Sequence, residues 1–243
     1  MKVAYKLLAS SLLVACSFSA QAIPTFINFQ AMADSNAPAS DPQSYGESAW
    51  SVLSLNSDFG VNVDITGYRG TTLANAYLDR GYAGLGVCLS ASSVDVKHPG
   101  SGTNRCSPSS DDNVNIVHGI GESLSLKFNE SLQINKIWFN NNHDPDYGMD
   151  GDTVTIGGVN HTFAGSRGEN PPTPDDTHLG WLFEFGGADG IFSVNDTLNI
   201  AYYNEEFYIS AIEFDHVVPE PATVALLGIG LFGIGMAKRR TTN

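Results

Sequence analysis

Apolar and polar residues alternate with a period of two through the middle of this chain. That pattern marks half-buried strands rather than amphipathic helices. Val61, Val63 and Ile65 share one parity, with Asn62, Asp64 and Thr66 on the other. Leu124, Leu126 and Phe128 alternate with Ser123, Ser125 and Lys127, and Val154 and Ile156 with Thr153 and Thr155. Leu179, Trp181, Phe183 and Phe185 form one apolar face, Leu198, Ile200 and Tyr202 another. A last run, Phe207 to Phe214, is aromatic and β-branched. Gly157-Gly158, Gly186-Gly187, Asn195-Asp196 and Asn204-Glu205 are turn signals between these runs. Many short strands at this spacing predict an all-β fold, an antiparallel β-sandwich that is jelly-roll-like. Only Thr72 to Arg80 fits even a short helical turn.

One stretch breaks the alternation. Leu132 and Ile134 have one parity, Ile137 and Phe139 the other. A bulge near Asn135-Lys136 reconciles them and turns Trp138 outward; without it Trp138 points into the core. Trp181 falls on a core position, and His118, on the parity of Val114 and Ile116, reads as a core-edge histidine. Ser90 to Asp112 and Gly165 to His178 read as long loops covering one end of the sandwich, and Asp34 to Tyr45 as a further loop.

Both ends differ from this body. Lys2 and Lys6 precede an apolar run from Leu7 to Ala15, and Ala20-Gln21-Ala22 supplies small residues at −3 and −1. This is the layout of a secretory signal peptide over residues 1–22, with a mature chain from Ile23. Leu13-Val14-Ala15-Cys16 offers a second reading, a lipoprotein box with Cys16 lipidated. At the other end, Val218-Pro219-Glu220-Pro221 precedes the uncharged, glycine-containing run Ala222 to Ala237, then Lys238-Arg239-Arg240. As a helix the run spans roughly 24 Å, short of a typical hydrocarbon core but able to cross with thinning and snorkelling. The basic cluster belongs on the cytoplasmic side, leaving the body, residues 23–218, outside.

The order of Pro-Glu-Pro, short apolar helix and terminal basic cluster resembles the PEP-CTERM sorting signal. The resemblance implies recognition of Pro219, Glu220 and Pro221 by an exosortase, a membrane cysteine protease-transpeptidase. It further implies cleavage near the motif and delivery to the cell surface or exopolysaccharide matrix of a Gram-negative bacterium. The stretch from Gly84-Leu85-Gly86-Val87-Cys88 through Asp111-Asp112-Asn113 to Glu122-Ser123-Leu124 loosely resembles extracellular domains of other such proteins, a group with no defined activity. The alternative for the tail is a plain membrane anchor, which has no need of the motif.

Composition narrows the function. The chain has 12 basic and 26 acidic residues, a net charge of −14, and only 16% charged residues. The processing ends hold five of the basic residues and one of the acidic ones, so the body is more acidic still. A nucleic-acid partner needs a basic stripe, so this balance excludes one. Gly228-Ile229-Gly230-Leu231-Phe232-Gly233 spells a dinucleotide fingerprint. It lies inside the apolar tail with no βαβ unit around it, so its glycines read as membrane-helix residues. Without Cys16, Cys88 and Cys106 are the remaining thiols, and in an exported protein they predict one disulfide.

The densest polar cluster carries Asp144, Asp146, Asp150 and Asp152, enough oxygens for a calcium site. It lacks EF-hand spacing, so a solvated connection is the competing reading. Neither G-x-S-x-G nor H-E-x-x-H occurs, and no carboxylate pair stands out, so the chain is not expected to be an enzyme. Sequons beginning at Asn129, Asn160 and Asn195 carry no meaning in a bacterium without the matching transferase. Three classes remain: a structural or adhesive protein of an exopolysaccharide matrix, a carbohydrate-binding module using exposed aromatics such as Trp138, Tyr202 or Tyr203, and a secreted hydrolase.

Overall fold

The structure is a computed structural model, described here for residues 24–34, 42–98, 105–108, 111–141, 149–164 and 180–217. Along the chain come β1 (Thr25–Asn28), α1 (Phe29–Ala33), β2 (Ser48–Trp50), β3 (Leu53–Ser54), α2 (Asn56–Phe59), β4 (Val63–Arg69), β5 (Thr72–Asp79) and β6 (Gly84–Cys88). Next are β7 (Ile116–Val117), β8 (Ile120–Phe128), β9 (Leu132–Asn140), β10 (Thr153–Ile156) and β11 (Val159–Thr162). The series ends with β12 (Trp181–Glu184), β13 (Ile191–Phe192), β14 (Thr197–Tyr202) and β15 (Tyr208–His216). The ladders between these strands are antiparallel, as the alternation predicted.

Ten of the described strands follow one path, β11-β10-β14-β8-β4-β5-β6-β15-β9-β12, that curls into two facing layers, and β1, β2, β3, β7 and β13 pair alongside it. β5 is the hinge of the curl. Its first residues pair with β4 (Ala74 with Gly67), its later ones with β6 (Tyr77 with Gly86). A Cβ at Gly67 would collide with the Asn75 backbone, so glycine is what lets β5 pass from one layer to the other. This overturns the expectation of a helical turn at Thr72 to Arg80. Leu78 buries its side chain while Leu73 is exposed, and the segment is strand throughout except for Arg80.

The core lies between the layers. Leu124, Leu126 and Phe128 of β8 and Val63 and Ile65 of β4 face Ile134, Ile137 and Phe139 of β9 and Ile209, Ile212 and Phe214 of β15. The Phe128 and Phe192 rings stack across it at 4.4 Å. β1 adds Ile27, and α1 adds Phe29, Met32 and Ala33. Asn28 caps α1 by accepting the Ala31 N–H at 2.9 Å, which signals a helix start too short to read by periodicity. α2 ends at Gly60 in the left-handed region.

The bulge sits where the alternation fails. Glu213 pairs with Lys136 and Phe214 with Ile134, so Asn135 is the extra residue. A second bulge makes Ser210 the extra residue between Ile209 and Ala211, and its hydroxyl accepts from Asn140 at 2.5 Å. Trp138 does leave the core face, as the bulge requires, yet it is only 2% exposed. It lies on Ala211, edge-on to Phe26 at 5.5 Å, with Leu182 beside it. Trp181 is in the core. His118 is not at the core edge: it is exposed at positive φ in the tight turn between β7 and β8. The described residues from Pro24 to His216 belong to one compact unit.

Candidate functional site

The described parts of the expected long loop after β6 run across the outer face of β5, β6 and β15. Cys88 and Cys106 form the expected disulfide, with Cα atoms 5.7 Å apart and a sequence separation of 18. For a loop of this size the link stabilises the fold by about 3 kcal/mol in the chain-entropy picture. Arg105 donates its N–H to the Tyr77 hydroxyl at 2.8 Å, and Tyr77 donates to Glu47 at 2.8 Å. Val87 N–H reaches Asn113 O at 3.3 Å, and Val114 and Phe207 exchange backbone bonds at 2.8 and 3.1 Å. The strap is therefore anchored along its described length.

Beneath and beside it lies a buried polar layer. Tyr208 donates toward Asp112 at 2.8 Å and Asp79 at 3.1 Å. Arg69 bonds Glu122 at 3.0 Å through Nε and pairs with Asp111 through a terminal nitrogen. Glu122 also accepts the Asn115 N–H at 3.3 Å, and Asp111 that of Leu89 at 3.3 Å. Burial, reinforced by the Asp111 charge, pushes the Glu122 carboxyl up to about 8 despite Arg69. Burial first, then Asp79 and Asp112, holds the Tyr208 hydroxyl well above its ordinary range. Asp79, Asp111, Asp112 and Glu122 are all buried. The layer ties the strap to the sheet through Tyr208 on Asp112, Arg69 on Asp111 and Leu89 on Asp111.

The sequence held a signal for this layer. Arg69 continues the inward parity of Val63 and Ile65, and Glu122 that of Leu124 and Leu126. Opposite charges at inward positions of two strands announce a buried pair, and the register makes Arg69 and Glu122 direct neighbours.

A groove of about 310 Å³ opens where the edges of the two layers meet, between Asn160–Ala164 and Trp181–Phe183. The His161 and Phe183 rings meet across it at 4.5 Å, and Phe163 packs on Phe139 behind it. Burial lowers the His161 pKa, keeping the ring neutral near pH 7. This is where aromatic and polar side chains converge. The three aromatics named from sequence do not converge: Trp138 is buried on the opposite face, Tyr202 packs on the core, and Tyr203 is 54% exposed after β14.

Asp144 and Asp146 lie outside the described residues. Asp150 is exposed in a turn, and Asp152 is half-buried beside it. Among the described residues no three metal-binding side chains gather, and no helix is long and apolar enough to cross a membrane. Pro219, Glu220, Pro221 and the run 222–237 also lie outside the described residues, as do residues 1–22 and Leu179.

Comparison with known proteins adds one match. The family model described as the PEP-CTERM protein-sorting motif matches residues 217–240. No curated protein and no solved structure matches the chain. The matched segment starts one residue after β15 ends, and it contains the Pro-Glu-Pro, the apolar run and the basic cluster. The chain carries a PEP-CTERM sorting motif and is an exported protein, handled by an exosortase and sorted to the cell surface.

Proposed function

We propose that the β-domain is a non-enzymatic structural or adhesive component of the exopolysaccharide matrix. The observation that carries this reading is a surface-sorting motif joined to a domain whose buried carboxylates are sealed under a disulfide-anchored strap. Such a body is built to persist outside the cell. Its acidic surface resists aggregation, and contact with an acidic polysaccharide goes through bridging cations or neutral sugar units.

The groove beside His161 favours a second reading, direct carbohydrate binding, because aromatic rings and short polar side chains meet there. The test is co-sedimentation of the full-length protein, in detergent, with exopolysaccharide isolated from its host, with and without calcium. Retention is expected. Retention that is lost in His161→Ala and Phe183→Ala moves the account to the second reading. Protein that stays in the supernatant under both conditions defeats the matrix role.

A further inference from the structure

The sheet ends almost where the sorting motif begins. β15 runs to His216, and Val217 and Val218 alone separate it from Pro219. β15 is also held on both sides. β9 pairs with it from Tyr208 opposite Asn140 to His216 opposite Leu132. On the other side β1 pairs from Asn28 opposite Ala211 to Thr25 opposite Phe214. The stretch between sheet and motif therefore cannot gain length by peeling the strand. Beyond Asp215 and His216, the next residue drawn out is Phe214, which is fully buried and paired with both neighbours. Extended, Val217 and Val218 reach roughly 7 Å, and Val217 to Pro221 roughly 17 Å.

Other segments converge on the same end. Glu130 lies 3.8 Å from His216 and accepts the Asn62 N–H at 2.5 Å. The turn after β13 returns to β8 there, with Asn195 N–H bonded to Phe128 O at 2.7 Å. Val194 in that turn is exposed.

We propose that this end of the folded domain, marked by Glu130, Val194 and His216, is the surface that meets the membrane-embedded processing enzyme, with Val217-Val218 a spacer of near-minimal length. The inference rests on the exosortase reading of the tail. It adds that the enzyme works flush against a folded substrate, so reach rather than the identity of the two valines sets whether the motif enters the active site.

The test uses the full-length chain in an exosortase-competent host, with processed and unprocessed forms quantified by mass. Deleting Val217 and Val218 should lower processing by about tenfold or more, since misplacing a reacting group by ångströms has effects of that size. The same-length pair Val217→Gly with Val218→Ser, and a Gly-Ser-Gly-Ser insertion after Val218, should be processed like the parent. All variants keep β15 intact and should melt at the parental temperature. Normal processing of the deletion, or loss of processing in the same-length pair, overturns the proposal. Pro219, Glu220 and Pro221 changed together to alanine serve as the reference: if that chain is processed normally, the exosortase reading fails and not merely the spacer.

Discussion

Gly86→Ala is expected to destabilise the domain by about 3 kcal/mol or more, because the added methyl has nowhere to go. A Cβ at Gly86 would sit on the Asp112 carbonyl oxygen, well inside contact distance, with Asn113 Cα beside it. The obstacle is backbone and cannot rotate away. The neighbouring strap is fixed by Val114 bonded to Phe207, by Tyr208 on Asp112 and by the Cys88–Cys106 link. The alternation Gly84, Gly86, Cys88 on one face of β6, with Leu85 and Val87 in the core on the other, is a smooth track for the strap. Urea unfolding of Gly86→Ala against Leu89→Ala, a more exposed position next to the same disulfide, measures the effect. Equal midpoints would mean that the strap does not sit on β6.

Arg69→Met is expected to lower stability by about 3–5 kcal/mol at neutral pH, since it strands Asp111 and Glu122 without their buried cation. The same site sets a pH dependence. A carboxyl whose pKa rises on folding binds its proton more tightly in the native state than in the unfolded chain. Its contribution is full below the ordinary glutamate range and is lost as pH climbs through about 8. Glu47, also raised by burial, acts in the same direction. The melting temperature should therefore fall between about pH 5 and pH 8.5, and Glu122→Gln should flatten part of that fall. In Arg69→Met the fall should steepen, and Glu122→Gln in that background should restore stability. A melting temperature that rises across this interval would contradict the assignment.

Much of the fold was legible because period-two alternation is imposed by burial of one strand face. Val63 with Ile65, Leu124 with Leu126 and Val154 with Ile156 all face the core. The broken parity at Asn135 was equally readable, because a bulge leaves no other way to bury both Ile134 and Ile137. Trp138 shows the limit. Its face followed from the bulge, but its cover, Phe26, comes from a strand more than a hundred residues away in sequence. Local pattern cannot see such a contact. β5 was misread for a related reason: a strand that changes layers changes which parity is inward, so Thr72 to Asp79 has no clean alternation.

The candidate sites were less legible. The strap is rich in Ser, Gly, Pro and Asn, which reads as solvent-exposed loop, yet Asp111 to Asn115 are buried by tertiary contacts. The groove is made of edge strands whose meeting depends on how the sheet curls. Sorting behaviour was legible because it resides in a contiguous stretch of 24 residues, 217–240, whose order of motif, apolar run and cations is itself the signal.

The measurement that bears most directly on the account is the intact mass of the protein recovered from the surface of its own host. The predicted species begins near Ile23, carries the Cys88–Cys106 disulfide and lacks the apolar run and basic cluster beyond Pro221. A surface species that retains residues 222–243, or a chain held in the inner membrane of an exosortase-competent cell, would contradict it.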